Sequence, residues 1–203
     1  MAVQFHRGDL AAGVSFRGSV AVDTETMGLN LMRDHLCVVQ LSAGDGVAHV
    51  VQLERSYDCP RLKALLAASD ILKILHFARF DIAMIKRHLG VCMAPVYCTK
   101  IASKLTRTYT DRHGLKDLLK ETLGVEISKQ QQSSDWGAAV LSEAQLNYAA
   151  SDVLHLHALK SHLDGVLARE GRTAVAQACF DFLPARADLD LLGYGEEDIF
   201  AHA

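Results

Sequence analysis

The sequence predicts one α/β domain in which a mixed β-sheet, an antiparallel meander joined by parallel strands, is flanked by helices. Three observations predict it. The first third of the chain carries three β-rich runs, the last two joined across Gly44-Asp45-Gly46, a hairpin signal. Two further apolar runs then alternate with helical patterns, the β-α-β arrangement that sets strands parallel. Everything after residue 99 reads as helix or loop. A chain of 203 residues suits one packed domain with a short extension, and we place the division at 1–170 and 171–203.

Residues 1–18 alternate weakly and hold Gly8, Gly13 and Gly18, so a short strand or loop leads in. The first clear strand spans about 19–24, the second Leu36 to Ser42, the third Val47 to Leu53. Pro60 to Ala68 places Leu62, Leu65 and Leu66 on one helical face. Ile71 to Phe77 is almost wholly apolar, as a strand covered on both sides must be. A helix from about Arg79 to Leu89 ends at Gly90, the residue type favoured after a last turn. Val96 to Cys98 is a short fifth strand, and helices follow over about 99–106, 113–123, 142–168 and 172–182. In the last twenty residues Asp188, Asp190, Glu196, Glu197 and Asp198 alternate with Leu189, Leu191, Leu192, Ile199 and Phe200. A solvated acidic tail would not carry so many large apolar groups. We expect this tail to pack on a partner subunit, packing on its own domain being the alternative.

Composition narrows the function. Charged residues make up 22% of the chain, ordinary for a soluble globule, and no apolar run approaches the roughly 18 residues that span a bilayer. Met1 to Gly8 has no apolar signal core, so the expected location is the cytoplasm, with no membrane partner. The five cysteines are scattered singly, without zinc spacing, and read as core thiols. A net charge of −3 disfavours coating long nucleic acid. Lys100, Lys104, Arg107, Arg112, His113 and Lys116 still gather into a local basic patch, which suits a short anionic substrate.

Three segments carry chemistry. Val20 to Leu29 runs an apolar strand into Asp23 and Glu25, two apart and therefore on one face. Like charges that close repel unless a cation or proton intervenes. Asp81 falls in the first turn of the helix after His76-Phe77-Ala78-Arg79-Phe80, where a carboxylate is favoured by the free N–H groups; a simple helix cap is the alternative reading. Ser142 and Gln145 form a capping box, and in the helix they open Tyr148 and Asp152 stack at i, i+4. Carboxylates clustered without Cys or His suit Mg²⁺ or Mn²⁺.

These three segments resemble motifs I, II and III of the DEDD superfamily of 3′→5′ exonucleases, and the tyrosine four before the last Asp marks the DEDDy branch. Gln130-Gln131-Gln132-Ser133-Ser134-Asp135-Trp136 is similar to the ribonuclease D subgroup. The short chain, Lys100 to His113 and Phe180 to Ala203 resemble the C-type nanoRNases, which cleave very short oligoribonucleotides. The resemblance covers about residues 19–165 and implies a ribonuclease H-like fold. It also implies two divalent cations, Mg²⁺ or Mn²⁺, held by Asp23, Glu25, Asp81 and Asp152. Asp23 would bridge the two ions, Asp81 would act through water, and Tyr148 would orient the attacking water. Thr24, Met27, Gly28 and Leu29 would handle the 3′ nucleotide, with Leu29 a wedge between bases; core packing is the alternative for Met27 and Leu29. His76, Arg107, Arg112 and Lys104 are candidates for phosphate or ribose, against a packed histidine and solvated charges. Phe77 departs from the many members that carry Asn there. The implied protein is a homo-oligomer, an octameric ring, acting on short RNA, with a DNA exonuclease and a non-cutting nucleic-acid scaffold as the competing readings.

Overall fold

The computed structural model describes residues 2–202. Six strands form one sheet in the order β1-β4-β3-β2-β5-β6. Its centre is the expected meander, β2 (Ser19–Thr26), β3 (Leu36–Ser42) and β4 (Val47–Gln52), each antiparallel to the next. Gly44 and Gly46 have φ of 79° and 85° in the turn between β3 and β4, which L side chains rarely adopt. Beyond the meander β5 (Leu72–Leu75) runs parallel to β2, and β6 (Val96–Cys98) parallel to β5. The lead-in segment also becomes a strand, β1 (Ala2–Arg7), parallel to β4 at the sheet's edge.

Period-two alternation puts different side chains on the two faces. Val39 and Val51 enter the large core, while Val38 and Val50 meet Trp136, Leu141 and Ala149 in a smaller one. α1 (Pro60–Ala67) contributes Leu62, Leu65 and Leu66 to the large core, and α2 (Ala78–Leu89) closes on Gly90 with φ 70°. Lys73 on β5 is fully buried, and its ammonium donates to the carbonyls of Ala68, Ile71 and Ala94 at 2.6–2.8 Å. Those three bonds tie the end of α1, the start of β5 and the approach to β6 at one point. The strand that delivers α2 to the site is thereby held in register.

The helices α3 (Thr99–Thr106) and α4 (Leu115–Leu123) match the expected spans closely. The long helix expected over 142–168 is two, α5 (Glu143–Leu154) and α6 (Leu156–Arg169), broken at His155, whose ψ of −2° leaves the helical path. α7 (Thr173–Leu191) runs nine residues past its expected end and straight through Pro184. Proline lacks the N–H an interior turn needs, but Leu183 just before it and Ala187 beyond it are core residues, and their burial keeps the helix going. Its last turns dock on α2: Asp190 takes a two-pronged hydrogen bond from Arg79 at 2.5 Å, and Asp188 pairs with Lys86. Beyond α7, Leu192, Tyr194 and Phe200 remain exposed.

Candidate active site

The motif residues meet where β2 ends. Carboxylate oxygens of Asp23, Glu25 and Asp152 lie within 4.8 Å of one another. Asp23 and Glu25 share a face of β2, and across the ladder Gln40 of β3 sits opposite Asp23. The Gln40 amide donates to both acids at 3.4 Å. Asp152 comes from α5, whose start is fixed by the expected capping box: Ser142 Oγ accepts from Gln145 N, and Gln145 Oε1 accepts from Ser142 N. Gln145 Nε2 reaches further, to Ser134 Oγ and the Asp135 carbonyl, so the loop before α5 is tied to its cap.

Asp81 projects from the first turn of α2, 4% exposed, and accepts a 2.5 Å hydrogen bond from Thr24 Oγ1. Tyr148 stands one turn before Asp152, its ring against the buried Trp136 with centroids 5.9 Å apart. All five motif residues line one cavity of about 580 Å³.

The electrostatics of this cluster call for a cation or protons. Burial raises the Glu25 carboxyl to about 9, with Asp152 and Asp81 adding repulsion and Gln40 opposing it. Asp81 and Asp152 each rise to about 7, again chiefly from burial. Asp23 is pushed well above the carboxylate range by burial and then by its three acidic neighbours. The Tyr148 phenol is raised by burial and by Asp152, so it holds its proton throughout the usual pH range. Four acids offering only oxygen fit hard divalent cations, which need anionic oxygen ligands and no sulfur or imidazole.

The substrate-side expectations divide. Met27, Gly28 and Leu29 line the cavity mouth; Leu29 is 83% exposed, and the Met27 N–H donates to the His35 carbonyl rather than facing outward. A Cβ on Gly137 would come within 2.5 Å of the Met27 sulfur, so that side chain rests on bare backbone. Thr24 reaches the cavity, but its hydroxyl serves Asp81. His76 also lines the cavity; its Nδ1 is 2.9 Å from Thr99 Oγ1, and burial lowers it to about 3, so the ring is neutral.

Arg107 does not reach the cavity. It is 4% exposed, pairs with Glu121 and donates to the Arg112 carbonyl and Ser103 Oγ, an interior brace of the α3–α4 connection. Arg112 and Lys104 likewise do not line the cavity. Its cations are Lys100, Lys116 and Lys129. The first two belong to the basic patch; Lys129, whose charge acts on Asp152, stands alone in a polar loop with no sequence signal. Gln40 was equally silent, one amide inside an apolar strand.

Comparison with known proteins agrees with this geometry. Residues 9–168 match the model of a 3′-5′ exonuclease family. The solved structure of Brucella melitensis NrnC is 58% identical, with a TM-score of 0.97 over 100% of this chain and 99% of that one. Further structures of the same protein, one with bound Mg²⁺ and one bound to pGG, superpose with a TM-score of 0.96 at 56% identity over the full length of both chains. The ribonuclease D of Granulibacter bethesdensis is 35% identical over 155 residues, which cover 76% of this chain but only 39% of that protein. The chain thus spans well under half the length of such relatives. Escherichia coli RNase D, 24% identical with a TM-score of 0.72, shares the ribonuclease H-like fold. A 3′-5′ exonuclease enzyme by family model and by full-length likeness, the chain belongs to the DEDDy-type exonucleases and, within them, to the group of NrnC.

Proposed function

We propose that the protein is a divalent-cation-dependent 3′→5′ exoribonuclease that degrades short oligoribonucleotides, dinucleotides included, to nucleoside 5′-monophosphates. The observation that carries this reading is the convergence of Asp23, Glu25 and Asp152 within 4.8 Å, beside Asp81 and Tyr148, in one cavity with a rim of lysines. Two Mg²⁺ or Mn²⁺ ions held by Asp23, Glu25, Asp81 and Asp152 would supply Lewis-acid stabilisation to the attacking and leaving oxygens of an in-line phosphoryl displacement. The remaining work falls to the chain. Tyr148, kept as a phenol, orients the attacking water by a hydrogen bond and does not act as the base. Trp136 holds its ring in place from behind. Lys100, Lys116 and Lys129 face the substrate's phosphates, and Leu29 separates its last two bases. The likeness to a protein solved with Mg²⁺ and with pGG supports both the metal and the short substrate.

The test is to incubate the protein with 5′-phosphorylated RNA of two to twenty nucleotides, and with matching DNA, in Mg²⁺, Mn²⁺ or EDTA, and to follow product lengths. Stepwise loss of 3′ nucleotides from RNA, fastest on the shortest chains and abolished by EDTA, is expected. Faster loss from DNA would favour a repair or editing exonuclease, since no cavity side chain is committed to the 2′-hydroxyl. Tyr148→Phe keeps the ring and its packing but removes the hydroxyl. It is expected to lower kcat by about 10²-fold while Mg²⁺ binding, measured by calorimetry, stays unchanged; wild-type turnover would make the tyrosine structural.

We also propose that the enzyme works in the cytoplasm; no helix among the described residues is long and apolar enough to cross a membrane. The exposed Leu192, Tyr194 and Phe200 beyond α7 suit contact with further copies, up to an octamer. A monomer by light scattering at micromolar concentration would rule that assembly out.

A further inference from the structure

Phe77, which caps the start of α2, has φ 66° and ψ 41°. Most side chains with a Cβ enter this left-handed region only under strain, whereas Gly, and Asn among residues with a Cβ, enter it more easily. Among the described residues the other non-glycine with positive φ is Tyr57, and the fold compensates it. Its hydroxyl donates to the Leu36 carbonyl at 3.1 Å, and its ring packs on the large core. Nothing comparable holds Phe77, which is 46% exposed and belongs to neither core. Lys100 Nζ lies 4.2 Å from the ring centroid, but such a contact at an exposed site is weak. A large flat ring therefore occupies a strained position where an asparagine would fold with less strain.

The ring's place says what it meets. Phe77 and Lys100 both line the catalytic cavity, and both also wall an adjoining apolar cleft of about 270 Å³, with Cys98, Ile101, Phe182 and Leu183. Lys100 and Lys104 stand on that cleft and take part in none of the lysine ion pairs of the described residues. An apolar slot beside unpaired cations complements a flat base followed by a phosphate.

We propose that Phe77 is a stacking platform for the nucleobase on the 5′ side of the scissile bond, with Lys100 placed for the adjacent phosphate. The inference rests on the exonuclease reading, in which the acids and the Met27–Leu29 turn take the 3′-terminal nucleotide. Phe77 and Lys100 form a wall common to the cavity and the cleft, so in this reading the next base is the one placed to meet the ring. Stacking reads no sequence, because every base has a π-face.

Phe77→Asn separates the two roles of the residue. It is expected to raise the Tm, by relieving the strained backbone, and at the same time to raise KM for a 5′-phosphorylated dinucleotide about 5- to 50-fold, with kcat within about twofold. Phe77→Tyr, which keeps the ring, should retain the wild-type KM. A dinucleotide abasic at its 5′ residue should cost the wild type the same factor and cost Phe77→Asn little more. A wild-type KM in Phe77→Asn, a loss confined to kcat, a loss shared by Phe77→Tyr, or additive effects of the variant and the abasic substrate would each overturn the proposal. Equilibrium affinity for the same two dinucleotides with Ca²⁺, by calorimetry, reads the same contrast without turnover. A protein that bound but did not cleave would sink the exonuclease reading and still decide the role of Phe77.

Discussion

Asp23→Ala is expected to lower turnover of a 5′-phosphorylated dinucleotide by about 10³-fold or more and, in the absence of divalent cations, to raise the Tm by a few degrees. Both effects come from one geometry. Asp23 faces Glu25, Asp81 and Asp152, and each of these raises its carboxyl beyond what burial alone does. In the proposed mechanism that crowding would grip the cations, and truncation would remove a ligand central to the site. Without cations the same crowding opposes folding, and deleting one acid relieves it. The side chain is no part of either hydrophobic core, so no cavity penalty offsets the gain. Turnover read by chromatography of released nucleotide, and Tm read in EDTA, check the two halves separately. Turnover within tenfold of wild type would remove Asp23 from the site. A falling Tm in EDTA would show that Asp23 supports the fold in a way its neighbours do not reveal.

Much of this was legible in the sequence because the signals are local. A strand running into Asp-x-Glu, a helix opened by Ser142 and Gln145, and Tyr148 four before Asp152 each follow from short-range periodicity, and the structure brings those elements to one point. The meander was equally readable, since Gly44-Asp45-Gly46 sets its hairpin. What could not be read depends on residues far apart in the chain. The extension of α7 through Pro184 is decided by burial of Leu183 and Ala187 and by Arg79 and Lys86 more than a hundred residues upstream. Lys73 reads as one stray charge in an apolar strand until three carbonyls from separate segments converge on it. Arg107 illustrates the opposite error: a basic run suggests phosphate, but Glu121, Ser103 and the Arg112 carbonyl take its guanidinium into the interior. Proximity in sequence located the patch, and only tertiary geometry could sort its members between brace and rim.

The metal-free protein is expected to lose stability steadily as pH rises from about 5 to 9, and saturating Mg²⁺ is expected to cancel that loss. The sign follows from the carboxyls. Asp81 and Asp152 rise to about 7 and Glu25 to about 9 when folded, whereas all three ionise near 4 when unfolded. Between those limits the folded state binds more protons than the unfolded one, so their contribution is fully present below pH 4 and falls as pH increases. At pH 9 these acids are being forced to ionise side by side, and their repulsion acts against the fold. A bound cation takes the place of the protons, so Mg²⁺ binding must release protons near neutrality and strengthen from pH 6 to 9. Thermal melts at pH 5, 7 and 9, each with EDTA and with Mg²⁺, read the linkage directly. The gap between the two conditions should widen with pH, and in Asp23→Ala it should shrink at every pH. A gap independent of pH would mean that the four acids do not share one charged pocket, and the metal-dependent mechanism built on their convergence would have no basis.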